Sequence, residues 1–229
     1  MKVKLVSYSK PSKEIVGEGL YDVQELIAYC ARVSNPANQL NTETSEKLIK
    51  YLIKHQHWSP LEMVSACLEI TTTRDIARQI LRHRSFSFQE FSQRYANPMA
   101  ELDEAFVLRE CRLQDPKNRQ NSVPLDMETY EGRMMANDWI RSQQRVLHWV
   151  KEEYQWAIKQ GIAKEQARAL LPEGLTISRL YVNGTLRSWI HYIQLRSANG
   201  TQKEHMDIAK LCAEVIAEVF PLAEQLTQQ

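Results

Sequence analysis

Between Met1 and Ser9 the chain alternates, with Val3, Leu5 and Ser7 set against lysines and Val6, which predicts a short opening strand. Asp22 then stands where a helix N-cap belongs. Val23, Leu26, Ile27, Cys30 and Ala31 follow at helical spacing and predict an amphipathic helix that ends near Ser34, Asn35 and Pro36. A second helix is expected from about Thr44 to His55, burying Leu48, Tyr51 and Leu52. The run Met63 to Thr73 reads as a strand. A helix comes next, with Thr72 and Asp75 as a capping box and Ile76, Ala77, Ile80 and Leu81 as its apolar stripe. From Asn97 to Asp126 no period is sustained, and Pro98, Pro116 and Pro124 predict a long loop or lid. Asp126 opens the longest helical pattern, through Tyr130, Met134, Val146, Val150 and Tyr154 to a stop at Gly161. A short helix (Ala163 to Leu170), a strand (Leu175 to Val182), a turn at Gly184 and a helix (Leu186 to Leu195) come after it. Thr201 and Glu204 form a capping box for a last helix that buries Ile208, Leu211, Val215 and Val219 and closes at Pro221. These elements predict one α+β domain spanning residues 1–229, helix-rich around a small sheet with a long helical hairpin-like insertion.

Composition sharpens this outline in three ways. The 229 residues include 7 glycines and 8 prolines, few enough to favour long unbroken helices. With 29 Lys plus Arg against 28 Asp plus Glu the net charge is +1, which argues against binding a polyanion through bulk positive charge. The four cysteines, Cys30, Cys67, Cys111 and Cys212, form no CxxC pair and are expected as reduced, mostly buried thiols. The tryptophans and tyrosines are expected mostly in the core. No apolar run suits a signal peptide or a membrane span, so a cytoplasmic protein with no membrane partner is expected.

The charged residues are unevenly placed. Arg74, Arg78, Arg82, Arg84 and Arg94 fall in one stretch against only Asp75 and Glu90, and no lysine occurs between Lys54 and Lys117. A guanidinium offers a planar fork of donors that fits phosphate or carboxylate, whereas an ammonium is a point charge. Arg74, Arg78 and Arg82 recur every four residues and repel one another unless carboxylates or an anion answer them. The stretch therefore suits a defined oxyanion. Rival readings are a solvated basic helix end, or a non-catalytic phosphate- or RNA-binding module that uses the Arg74 to Arg94 stripe. His55 and His57 are the only close histidine pair and lack a completing ligand pattern, so no metal is expected. Gly17-x-Gly19 is not followed by the third glycine of a dinucleotide fingerprint. Ser92 has His83 and Glu90 nearby in sequence, but nothing fixes triad geometry.

Arg82-His83-Arg84, seven further residues, Ser92 and then Arg94 resemble the signature of the flavin-dependent thymidylate synthases. His57-Trp58-Ser59-Pro60-Leu61-Glu62, Arg168-Ala169-Leu170-Leu171-Pro172, and Thr185-Leu186-Arg187 through Leu195-Arg196 resemble three further elements of that family, in order along most of the chain. The resemblance implies the family's fold and a reductive methylation of dUMP to dTMP. Methylenetetrahydrofolate would be the carbon donor, FAD the hydride carrier and NADPH the reductant, in a homotetramer with active sites between subunits and no enzyme nucleophile. By the same resemblance Gln79, Arg82, Glu90, Ser92, Gln93, Arg94, Arg168 and Arg196 are the dUMP ligands. His57, Ser59, Arg82, His83, Arg84, Glu90, Arg187 and His191 contact FAD, with Trp189 and Tyr192 as possible neighbours of the flavin. Arg196 is the catalytic candidate, because a cation on the N3 and O2 edge of uracil favours the ionised base and enriches C5. A shift of two pKa units corresponds to about 2.7 kcal/mol. Thr185, Leu186, His191 and Gly200 depart from the commoner family pattern, and so bear on the flavin contacts. A flavin protein without folate chemistry is a third alternative.

Overall fold

The computed structural model describes residues 1–223. In chain order the elements are β1 (Lys2–Tyr8), α1 (Lys13–Gly17), α2 (Val23–Ala31), α3 (Ser45–Lys54), β2 (Ser65–Thr73), α4 (Arg74–Ile80), β3 (Ser87–Glu90), α5 (Pro98–Glu101), β4 (Arg112–Gln114), β5 (Ser122–Pro124), α6 (Tyr130–Lys159), α7 (Lys164–Ala167), β6 (Ile177–Thr185), α8 (Leu186–Ser197) and α9 (Lys203–Ala217). The main sheet has the antiparallel order β1-β2-β6-β3, and β4 pairs only with β5.

Period-two alternation decides which face of the sheet is covered. Ala66, Leu68 and Ile70 of β2 and Leu180 and Val182 of β6 point to one face and are buried there. On that face they meet Ile27 of α2, Ile76 and Ile80 of α4, Trp189, Ile190 and Ile193 of α8, and Ile208, Cys212 and Ile216 of α9. The α+β architecture is thus helices on one face of a small antiparallel sheet. Among the described residues no helix is long and apolar enough to cross a membrane.

Several local expectations are corrected. Helix α3 buries Ser45, Ile49 and Leu52; Tyr51 is 52% exposed and stacks instead on His55, with ring centroids 4.2 Å apart. The segment 97–126 is not a plain loop but holds α5 and the β4–β5 hairpin. Of the cysteines only Cys212 is fully buried, although all four are unpaired. Trp189 is in the core, but Trp139, Trp149 and Trp156 lie exposed along α6. Leu211, Val215 and Val219 are only half-buried, while Ile208 is buried as expected.

Neither expected capping box forms, because each helix begins one residue later than its box requires. Helix α4 is capped at Thr73, with Thr72 buried inside β2, and α9 starts after Gln202 instead of Thr201. The carboxylates the boxes needed are held by Arg109. Its Nη2 donates to Asp75 Oδ1 at 2.7 Å and Oδ2 at 2.8 Å, and its Nη1 lies 2.9 Å from Glu204 Oε2. Its Nε donates to the Gly174 carbonyl, and its own backbone amide donates to Gln143 of α6. One guanidinium therefore ties α4, α9 and, through its main chain, α6.

Gly184 was expected in a turn but lies within β6, opposite Ala66. A Cβ there would sit 2.3 Å from Phe86 Cδ1 and 2.6 Å from Cε1. The ring of Phe86 packs into this notch and onto Trp189, with centroids 4.5 Å apart, which pins the Arg82-His83-Arg84 turn to the core. Gly184→Ala should push that ring aside and cost about 1–3 kcal/mol, read as a lower urea midpoint with an unchanged slope.

Candidate active site

The predicted site residues fall into three groups along the surface that the sheet and its helices present. The first surrounds the turn after α4. Arg196, near the end of α8, donates from Nε to His83 Nε2 at 2.9 Å. The His83 ring meets Tyr192 edge-on, with centroids 4.9 Å apart. Gln79, in the last turn of α4, reaches His205 Nδ1 at 3.2 Å. Arg82 and Arg84 are exposed, and their side chains make no hydrogen bond or ion pair among the described residues. Two exposed guanidiniums from one turn, neither paired with a carboxylate, are available to an anion.

The second group lies on α8 and the turn before β2. Arg187 pairs with Glu62, and His191, one turn further along α8, meets Trp58 edge-on with centroids 4.5 Å apart. His57 and Ser59 are exposed on the adjoining turn, and His57 lies in a cluster with Tyr51 and His55. Burial and the neighbouring Arg187 lower the pKa of His191. The expected bordering residues are placed differently: Trp189 and Tyr192 are inside the core, where Trp189 Nε1 donates to the Ala66 carbonyl. Trp58 is the aromatic beside His191.

The third group follows β3. Glu90 lies 3.5 Å from Arg74 Nη1 and accepts from the Ser178 hydroxyl at 2.8 Å. Arg94 Nε meets Glu165 Oε2 at 3.3 Å, and Arg168 Nε donates to the Glu165 carbonyl at 3.2 Å, so Arg94 and Arg168 come together across α7. Ser92 opens the tight turn that carries Arg94, its backbone carbonyl accepting from the Tyr95 and Ala96 amides. Gln93 is buried, and its Nε2 has no partner. Neither His83 nor Glu90 hydrogen-bonds Ser92 among the described residues, since each is engaged elsewhere, so no nucleophilic triad forms there.

Two of the three arginines on the α4 stripe are already answered. Arg74 has Glu90 and Arg78 has Glu173, which leaves Arg82 as the member open to an anion. A continuous stripe for a nucleic-acid backbone is thereby reduced to a local site. Arg82, Arg84 and Arg94 of the motif are exposed, whereas Gln93 is buried. A cavity of about 450 Å³ between α6 and the start of α9 is lined by Trp139, Val146, Arg109, Gln202 and Glu204, none of them predicted for the site.

The sequence reading also missed His205, which is fully buried on α9. It precedes Ile208 by three residues and Cys212 by seven, on the stripe that faces the core. A polar residue at such a position requires a partner, and that was the available signal.

The sequence matches the family model described as thymidylate synthase complementing protein over residues 18–222. It is 48% identical over 224 residues to the probable flavin-dependent thymidylate synthase of Paramecium bursaria Chlorella virus 1, which covers 96% of each chain. Identity is 47% over 223 residues to the flavin-dependent thymidylate synthase of Synechocystis sp., again 96% of each. Among solved structures, the UMP/dUMP methylase PolB from Streptomyces cacaoi bound with 5-Br dUMP has a TM-score of 0.77. That match covers 99% of this chain and 94% of that one at 26% identity.

Two histidines of the first group are held neutral. Burial, and then the Arg196 guanidinium, push His83 down to about 4; burial, Arg196 and His83 push His205 down to about 3. In the unfolded chain both take up a proton near 6.5. Protonation thus favours the unfolded chain, and the stability present above pH 6.5 is lost as pH falls from there, toward about 4 for His83 and about 3 for His205. Urea midpoints between pH 7.5 and 5 should fall for the wild type and fall less steeply for His205→Phe; parallel curves would remove His205 from this account.

Proposed function

The chain belongs to the flavin-dependent thymidylate synthase family, and from that premise we infer that it is a methyltransferase that converts dUMP to dTMP. The observation that carries this reading is the Arg82-His83-Arg84 turn, where two open guanidiniums flank a histidine engaged by Arg196. When bound, FAD carries hydride derived from NADPH, and methylenetetrahydrofolate supplies the one-carbon unit.

The donor set fits such a cofactor. Arg82 and Arg84 offer unopposed forks for a diphosphate, and Ser59 and His57 offer further polar groups on the adjoining surface. The His191 and Trp58 rings provide flat apolar surface. Arg187 would contact FAD only by sharing or exchanging Glu62, so its role is the most conditional of these.

We assign the dUMP phosphate to Ser92, Arg94 and Arg168, with the buried, unpartnered Gln93 amide beside them. Glu90, fixed by Arg74 and Ser178, would meet the sugar side. Arg196 would face the N3 and O2 edge of the base. Its Nε is committed to His83, which leaves the two terminal nitrogens, paired as a fork, free for the substrate. A neutral His83 is required for this arrangement, because a protonated ring has no lone pair to accept from Nε.

The four residues of β3 separate the Arg84 turn from Ser92, a span of about 13 Å at strand rise. We propose a homotetramer in which the first group of one subunit meets the third group of another. The exposed Trp139, Trp149 and Trp156 of α6 provide apolar surface for such an assembly. Four unpaired cysteines suit the reducing cytoplasm.

Yellow protein that forms dTMP from dUMP, NADPH and methylenetetrahydrofolate under anaerobic conditions is the expected result; protein that cannot be loaded with FAD, or that forms no dTMP, overturns the reading. Arg94→Lys keeps charge but loses the fork, and should weaken dUMP binding about tenfold by calorimetry. Arg196→Ala should lower kcat at least about 100-fold with little change in FAD affinity, whereas equal losses in both would make Arg196 structural.

A further inference from the structure

The polar residues behind Gln79 form one continuous hydrogen-bonded chain. The Tyr192 hydroxyl lies 3.1 Å from His205 Nε2, and His205 Nδ1 lies 3.2 Å from Gln79 Oε1. Gln79 Nε2 donates to Gln202 Oε1 at 2.8 Å, and Gln202 Nε2 donates to Glu204 Oε2 at 2.9 Å. Arg109 Nη1 faces that same carboxylate oxygen at 2.9 Å.

The two ends of the chain set the direction of every bond within it. A carboxylate paired with a guanidinium only accepts, so Gln202 turns its amide nitrogen to Glu204 and its oxygen to Gln79. At the other end Tyr192 is 1% exposed, and burial raises its pKa well above the usual phenol value, so the hydroxyl keeps its proton. His205 Nε2 is the partner that proton has among the described residues. A buried hydroxyl with an unused proton is costly, so Nε2 accepts and Nδ1 carries the ring hydrogen. Both ends impose the same orientation on Gln79, with Oε1 accepting from His205 and Nε2 donating outward. The second hydrogen on that nitrogen has no partner among the described residues, and Gln79 is only half-buried.

We infer that Tyr192 and His205 are positioning residues for pyrimidine recognition: they lock Gln79 as a donor, matched to the C4 oxygen of uracil and mismatched to the C4 amino group of cytosine. The inference rests on the reading of Gln79 as a dUMP ligand and of Arg196 on the N3 and O2 edge, which leaves the C4 side of the base to Gln79. An unrestrained glutamine presents either end of its amide. Here the choice is made from both ends of the chain, by the Glu204 carboxylate acting through Gln202 and by a core tyrosine that never meets the substrate and acts through His205. The selection is by direction of hydrogen bonding and involves no charge.

The test uses the FAD-loaded protein with dUMP and dCMP as separate calorimetric probes. Tyr192→Phe and His205→Phe should each bind dUMP about tenfold more weakly and narrow the dUMP to dCMP affinity ratio by a similar factor. His205→Asn, whose amide nitrogen stands near the place of Nδ1, should restore the ratio. If the two Phe variants hold FAD and keep the wild-type ratio, the positioning role is overturned. Should His205→Phe fail to retain FAD, Tyr192→Phe decides, since it deletes a single oxygen. Gln79→Ala separates the two layers: wild-type dUMP affinity in that variant overturns the Gln79 reading itself, whereas weakened affinity with an unmoved ratio in Tyr192→Phe overturns the chain alone.

Discussion

The pairing of β2 with β6 holds the rest of the molecule in place. Its register runs without a bulge from Ser65 opposite Thr185 to Thr73 opposite Ile177. Each strand passes into a helix with no loop between, β2 into α4 at Arg74 and β6 into α8 at Leu186. The two helices leave from opposite ends of the pair, and Arg196 near the end of α8 contacts His83 in the turn after α4. A slip of one residue would turn Leu68, Ile70, Leu180 and Val182 out of the core. The same slip would rotate both helices about their starting points and separate Arg196 from His83. Hydrophobic burial thus fixes a polar contact that is too weak to fix itself.

Electrical near-neutrality conceals a division of labour among the arginines. Arg109, 14% exposed at its side chain, is spent on Asp75 and Glu204. Arg74 and Arg78 are answered by Glu90 and Glu173. Removing a carboxylate from the Arg109 cluster would leave a buried cation short of a partner, an error that commonly costs about 3–5 kcal/mol. Arg82 and Arg84, by contrast, have no protein partner among the described residues. Both are exposed, so water screens their charge.

Much of this was legible in the sequence, for physical reasons that also explain the rest. Strand β1, the Asp22 cap and the run of α6 to Gly161 depend on local periodicity and backbone geometry, which a single chain displays directly. The motif around Arg82, Ser92 and Arg94 was legible because the forked guanidinium is the side chain that suits a defined oxyanion, the ligand we propose for it. The two capping boxes were misread because each helix starts one residue later than its box requires, and their carboxylates meet Arg109, distant in sequence from both. Gly184 was misread because a glycine that makes room for an aromatic ring has the same letter as one that makes a turn. The Tyr192–His205–Gln79 chain joins three helices, and no short window contains more than one of its members.

The contact between Arg94 and Glu165 has a bearing on turnover. Both side chains are about half exposed, and a pair in that setting contributes about 0–1 kcal/mol. If Arg94 holds the nucleotide phosphate, Glu165 acts as a resident anion that the substrate displaces and that returns when product leaves. The guanidinium then exchanges one oxyanion for another and is never left bare. Such an exchange flattens the free-energy profile of the cycle, trading some tightness of capture for ease of release.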